Sequence, residues 1–317
     1  MANISDTRYI APHESYGRRL SKNFKTYYQL YILIIPVIAY YAIFHYWPMY
    51  GAQIAFKNFT PTEGIFGSKW VGFKHYVDYW NSYYFWRLIR NTLLLNVYNL
   101  IFGFPAPILL AILINEVRAK YFKRTVQTVT YIPHFVSIVV ICGLLKDMLN
   151  ANGFFNYIIN TTFNRPGVAY LLDPKYFRFI YVSSDIWQEV GWGSIVYLAA
   201  ITAVDSELYE AAFIDGAGRF RKLIHVTIPC ILPTIIILLI LRMGRMMSVG
   251  SEKVLLLYNS ATYETADVIS TFVYRKGLLE MNYSYSAAVG LMNSVLNFIL
   301  VVSANQISKK VSETSLW

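Results

Sequence analysis

The stretch Tyr209-Glu-Ala-Ala-Phe-Ile-Asp-Gly-Ala-Gly-Arg-Phe-Arg-Lys-Leu-Ile-His-Val-Thr-Ile-Pro229 decides the fold, because it sets a polar loop between two long apolar runs. It reads as helix, break, helix. Asp205 or Ser206 can cap a first short helix, since a short side-chain oxygen satisfies backbone N–H groups left unpaired there. Gly216 and Gly218 permit the tight or left-handed turn that ends it. Phe220, Leu223 and Ile224 recur at helical spacing and predict a second short helix with one apolar face. Pro229 fits the first turn of the span that follows, where its missing N–H costs little.

Working outward, the composition is that of a polytopic membrane protein. Hydrophobic residues make up 56% of the 317 and charged ones 15%, with a mean hydropathy of +0.39. Soluble chains carry about 25% charged residues. Six apolar runs, at about 27–47, 88–115, 126–149, 179–203, 227–248 and 285–307, each approach the roughly 20 residues a bilayer crossing needs. Pro105 and Pro107 in the second predict a kink or break near Gly103. The first run follows about 26 mostly polar residues and is long enough to span, which predicts an uncleaved anchor. Residues 1–26 read as a cytoplasmic tail with an amphipathic helix on the inner surface, 27–308 as one membrane domain, and 309–317 as a second cytoplasmic tail.

With both termini inside, the inner segments hold fourteen Lys or Arg in about 68 residues, and the outer loops nine in roughly 100. That bias places the 204–226 loop on the cytoplasmic side of a cytoplasmic membrane. Basic loops beside an anionic inner leaflet account for the net charge of +10 without nucleic acid. Cys142 and Cys230 lie in apolar runs without metal or disulfide spacing and read as small buried residues. The five histidines show no metal-binding pattern, and no nucleophile elbow is present. No phosphate-binding Gly-x-x-x-x-Gly-Lys loop occurs either.

The Glu210 loop closely resembles the "EAA" loop of the permease subunits of binding-protein-dependent ABC importers. That pattern is Glu-Ala-Ala, three residues, Gly, nine residues, then Ile-x-Leu-Pro. Glu210-Ala211-Ala212, Gly216 and Val226-Thr227-Ile228-Pro229 match it, with Val for Ile and Ile for Leu. The flanks Tyr46-Trp-Pro-Met-Tyr-Gly-Ala-Gln-Ile-Ala-Phe-Lys-Asn-Phe and Trp70-Val-Gly-Phe-Lys-His-Tyr resemble maltose-permease-type carbohydrate importers, in the branch for oligosaccharides and polysaccharides. So do Leu256-Leu-Tyr-Asn-Ser-Ala-Thr-Tyr-Glu264 and Thr271-Phe-Val-Tyr-Arg275.

The resemblance implies an all-α, six-span, type I ABC importer permease, not an enzyme, that forms half of a pathway for a carbohydrate. It implies a second permease subunit, with a heterodimer favoured, two cytoplasmic ATPase subunits that hold the ATP, and an extracellular solute-binding protein. This chain itself is expected to hold no cofactor. Glu210 would pair with a basic residue of the ATPase, with Asp215 nearby; Ala211 and Ala212 would allow close packing, and Gly216 would set the bend. An ion-coupled secondary transporter is the alternative; it predicts inverted repeats and midplane acids, and no repeat is visible. An integral-membrane enzyme would need clustered reactive side chains, and a sensor an output domain.

Polar residues inside spans are costly in lipid and mark a cavity or a partner. The fourth run offers Asp185, Gln188, Glu189 and Trp192, expected on one face at i, i+3/i+4, i+7 spacing. Arg242 lies 13 residues beyond Pro229, about 20 Å along a helix, and could pair with Glu189 or Asp185 or meet an acidic sugar; Arg245 could snorkel. Asn293 and Asn297, with Ser286 and Gly290, form a small polar stripe on the sixth run. Sugar contact and helix packing both account for such stripes. The aromatic loop 48–87 reads as an interfacial belt or as a contact for the binding protein.

Overall fold

In the computed structural model, residues 26–164, 166–244, 246, 247 and 250–312 are described. The tail helix expected within 1–26, and Arg245, lie outside them. Five helical stretches among the described residues are long and apolar enough to cross a membrane: Tyr28–Phe56, Tyr84–Glu116, Ile138–Phe163, Arg219–Met243 and Tyr283–Gln306. The principal helices are α1 (Tyr28–Tyr41), α2 (Tyr84–Tyr98), α3 (Pro105–Glu116), α4 (Lys120–Tyr131), α5 (Ile138–Leu149) and α6 (Phe154–Phe163). They continue with α7 (Pro174–Thr202), α8 (Ser206–Ile214), α9 (Ile228–Met243), α10 (Ser251–Leu257), α11 (Ile269–Tyr274) and α12 (Tyr283–Ser312).

Residues up to Gln53, with α1, form one compact unit, and Ile54 onward forms a second. α1 buries none of its own residues and carries Pro36 inside it. In the second unit, α7 is the axis. Phe177, Tyr181, Leu95 and Val254 close a core around its first half, and Tyr197, Ile201, Ala111 and Ile231 close another around its last turns.

Two of the expected spans take a different form. The 179–203 run lies in α7, which is 29 residues long, carries Lys175, Arg178, Asp185 and Glu189, and is not among these five apolar stretches. The 126–149 run is broken: α4 ends at Tyr131, a tight turn Ile132–Phe135 holds Pro133, and α5 restarts at Ile138. Proline cannot donate to the helical ladder, so the ladder is interrupted there. Near Gly103 the chain does not break but widens into a π turn, Asn99–Gly103, that joins α2 to α3. Of the cysteines, Cys142 is buried as expected, whereas Cys230 is exposed on α9.

At the end of α7 away from α8, a two-stranded antiparallel ribbon pairs β1 (Lys57–Asn58) with β2 (Lys69–Trp70). The Phe59 N–H donates to Ser284 Oγ at 2.8 Å and ties the ribbon to α12. The loops there converge on Asp267, which is fully buried. Its carboxylate accepts from Arg275 at 2.7 Å and Thr271 at 2.9 Å, with Arg87 at 3.5 Å. Asn91 donates to the Asp267 and Glu264 carbonyls at 3.0 and 2.8 Å. Burial works against the Arg275 charge, but the Asp267 hydrogen bonds and charge outweigh it, and its pKa is raised.

Removing the shared anion leaves two largely buried guanidinium groups facing each other, a change that costs about 3–5 kcal/mol. Asp267→Ala is expected to lose that much in denaturant unfolding of the purified protein; an unchanged midpoint would remove Asp267 from this role.

Candidate functional site

The Glu210 loop is shaped by its capping groups. Asp205 caps α8, its side chain accepting from the Glu207 N–H at 2.9 Å. At the other end Gly216 is left-handed (φ 73°), the Ala217 N–H reaches the Ala212 carbonyl at 2.9 Å, and the Gly216 N–H reaches Phe213 at 3.0 Å. These paired bonds form a Schellman stop, which favours glycine at the left-handed position. The second helix differs from expectation: Arg219–Lys222 runs through a π turn, Leu223–Thr227, directly into α9. The wide turn absorbs Pro229 without a break.

Helix α8 has no buried residue, and Glu210, Ala211, Asp215 and Gly216 are exposed, with Ala212 half-buried. The Glu210 side chain makes no hydrogen bond or ion pair among the described residues. Beside it Phe213, Ile214 and Phe220 are 73%, 83% and 72% exposed. Tyr209 Oη and Thr227 Oγ1, 2.9 Å apart, fasten α8 to the start of α9. The loop is thus a fixed platform with an apolar patch and a free carboxylate.

Deeper in the helices a polar relay crosses a cavity of about 520 Å³. Arg242 Nη2 donates to Asn99 Oδ1 at 2.8 Å, and Asn99 Nδ2 donates to Asp185 Oδ2 at 2.7 Å. Lys253 Nζ lies 3.5 Å from Asp185 Oδ1. It is buried without a hydrogen bond and also faces the Tyr181 ring. Arg242 therefore reaches Asp185 only through an amide. Arg242 and Lys253 thus converge on the one Asp185 carboxylate, Arg242 from the cavity wall and Lys253 from a buried position outside its lining. Gly103 leaves room for this: a Cβ there would lie 2.2 Å from Asn99 Oδ1.

Glu189 turns to a different neighbour. Its carboxylate lies 3.0 Å from His134 Nδ1, and the His134 ring stacks on Trp192 at 4.5 Å and 2°. Phe135 sets its edge on the same indole. Trp192 is 46% exposed and Phe135 73%. The expected single face of Asp185, Glu189 and Trp192 is thus divided between two clusters, while Gln188 is buried in α7. Asn297 donates to the Gly244 carbonyl at 2.7 Å and Asn293 to Met247 at 3.1 Å, so both amides brace the turn after α9.

Sequence reading missed Asn99, Lys253, His134 and Phe135. For His134 the signal is Pro133-His134, a polar break inside the 126–149 run. Asn99 is one of several asparagines in its run, and only the π turn distinguishes it.

Residues 103–313 match the model of the binding-protein-dependent transport system inner membrane component, and the chain belongs to that family. It is a membrane permease with the type I ABC importer permease fold, and not an enzyme. It is 45% identical to Protein LplB of Bacillus subtilis (strain 168) over 289 residues, 91% of each chain. It is 44% identical to the polygalacturonan/rhamnogalacturonan transport system permease protein YteP of the same organism, over 91% of this chain and 90% of that one. A chain from the crystal structure of a bacterial alginate ABC transporter, in complex with alginate pentasaccharide-bound periplasmic protein, superposes with a TM-score of 0.87 at 43% identity. That match covers 94% of this chain and all of the other.

Gly191 is what lets α4 approach α7 and present His134 to Trp192. A Cβ there would sit 2.0 Å from the Thr130 backbone carbonyl. Gly191→Ala is expected to push α4 away, lowering the thermal midpoint and shifting the Trp192 fluorescence. A wild-type midpoint and spectrum would contradict this packing.

Proposed function

We propose that this chain forms half of the translocation pathway of an ATP-driven importer for an acidic oligosaccharide, moved by ATPase subunits docked on the Glu210 loop. The observation that carries the cargo assignment is Arg242, which lines the cavity and reaches the Asp185 carboxylate only through the Asn99 amide. A uronate carboxylate suits Arg242, whose guanidinium can bind it through two hydrogen bonds. Polygalacturonan and alginate, which name two of the relatives, are polyuronates. The half-exposed His134–Trp192–Phe135 surface offers aromatic faces to the C–H side of a sugar ring, and Glu189 offers an acceptor to its hydroxyls. We also assign Gln188, Asn293 and Asn297 to the cargo path, the two asparagines beside the Gly244 and Met247 carbonyls to which they donate.

The loop supports the coupling assignment. A fixed helix with an unpaired carboxylate and exposed Phe213, Ile214 and Phe220 has the make-up of a docking surface. The remaining partners are a second permease, with a heterodimer favoured, two ATPase subunits binding ATP, and an extracellular solute-binding protein such as the one that accompanies the alginate transporter. ATP binding would close the ATPase pair, turn the docked loops and switch the cavity between inner and outer access. Both termini lie in the cytoplasm under this arrangement.

Two measurements on the reconstituted assembly test the proposal. Glu210→Ala is expected to lower solute-stimulated ATP hydrolysis about tenfold or more, as loss of a charge-assisted contact of about 1.5–3 kcal/mol predicts. A stable mutant assembly with an unchanged rate would discard Glu210 as the coupling residue. Arg242→Gln is expected to weaken uptake of acidic oligosaccharides about tenfold while sparing neutral ones. Equal loss of both would sink the acidic-cargo reading.

A further inference from the structure

The first half of α7 carries a second polar feature, away from the relay. Lys175 and Arg178 stand one turn apart at the start of the helix, where cations are unfavourable because the helix dipole is already positive. Asp173 spends an oxygen on the Lys175 backbone N–H at 2.9 Å. Lys175 Nζ has no hydrogen-bond or ion-pair partner among the described residues. Arg178 donates to Asn91 Oδ1 at 3.0 Å, but its buried Nε has no hydrogen bond. Nearby Glu264 is taken by Arg90, at 3.6 Å. The cations there are not balanced by the acids around them.

Both cations stand at the mouth of a groove of about 460 Å³ whose walls are Tyr98, Phe102, Phe179, Val182 and Ile186. A larger apolar hollow of about 870 Å³, walled by Leu144, Met148, Phe155, Ile159 and Trp187, lies beside it. Phe179 and Ser183 border both hollows and form the ridge between them. From Lys175 to Ile186 the helix rises about 16 Å. Half the hydrocarbon thickness of a bilayer is about 15 Å. The grooves therefore span one leaflet, with charge at its surface and apolar walls below.

The Phe179–Ser183 ridge faces away from the His134–Trp192 surface. Ser183 and Trp192 are nine residues apart, about 180° around the helix. Phe179, at 74% exposure, is the most prominent apolar side chain along the ridge. We propose that this surface binds an anionic phospholipid of the leaflet opposite the Glu210 loop. Its phosphate sits between Lys175 and Arg178, and its two acyl chains lie in the hollows on either side of the Phe179–Ser183 ridge. The lipid supplies the anion that the helix start lacks and covers apolar surface that no segment among the described residues covers.

The test uses the full-length chain in its assembled importer, in lipid nanodiscs, with phosphatidylglycerol carrying a photoreactive group midway along an acyl chain. Peptide mapping is expected to find the adducts on residues 141–149 and 179–187. Unlabelled phosphatidylglycerol should compete, while phosphatidylcholine and inorganic phosphate should not. The double variant Lys175→Gln, Arg178→Gln should lose about tenfold of the adduct, and Arg178→Lys should retain it. Ser183→Trp, which fills the ridge and leaves the cations in place, should also lose it, so a folding defect in the charge variant does not decide the outcome. Equal labelling by a phosphatidylcholine probe, unchanged in the charge variant, would reduce the surface to ordinary lipid contact and overturn the proposal. So would cross-links from these residues to another subunit in place of lipid. Lipid occupancy is read without transport, so the outcome is independent of the cargo assignment.

Discussion

A charged group at membrane depth must have partners, and α7 carries two carboxylates there. Asp185 and Glu189 are one turn apart on a helix surrounded by apolar segments. No regular helix packed alongside could serve both, because each offers its own side chains on fixed rows. The neighbours become irregular at this level instead. α2 and α3 widen into the π turn that delivers Asn99, and the chain breaks between α4 and α5 to deliver His134. The loop after α9 brings in α10, with Lys253. Irregular backbone of this kind is tolerated at depth only where protein or a cavity satisfies it. The polar cavity and the departures from helical regularity are therefore one feature seen twice.

The same constraint explains what could be read from the sequence. Asp205, Gly216 and the spacing between them act within a few residues, so the cap, the turn and the extent of α8 were legible. The apolar runs were legible too, since bilayer thickness sets their length. The partners of Asp185 and Glu189 were not, because they come from positions 86, 68 and 55 residues distant. Periodicity put Asp185 and Glu189 on one face, and on the helix surface they are neighbours. Their different partners follow from what packs against α7 at each level, which a single helix's periodicity does not encode. Asn293 and Asn297 make the same point: their stripe was visible, but not that the turn Gly244–Met247 would use their amides.

Packing density completes the picture of α7. Where α4 crosses it, Gly191 removes the Cβ that would meet the Thr130 carbonyl, and where α3 crosses it, Gly193 leaves room for Pro107. Close backbone approach at such small residues is how helices associate in lipid, where burying apolar surface gains little. The upper half of α7 is packed differently. Phe179, Ser183 and Trp187 are exposed there along the two hollows, which gives the two halves distinct surroundings.

The Glu210 loop and the cavity are joined by geometry. α7 enters the loop at Thr202 and α9 leaves it through the π turn, with α8 fastened between them by the Tyr209–Thr227 contact. Asp185 stands on the first of these arms, about 26 Å from its end, and Arg242 on the second. Only the amide of Asn99 links the two charges, through bonds of 2.7 and 2.8 Å. A separation beyond about 3.5 Å would leave no hydrogen bond there. Under the proposed coupling, a turn of α8 that opened the angle between α7 and α9 would stretch the Asn99 contacts and release the Arg242 guanidinium toward the cavity. A force at the loop would in this way change the charge pairing beside the cavity.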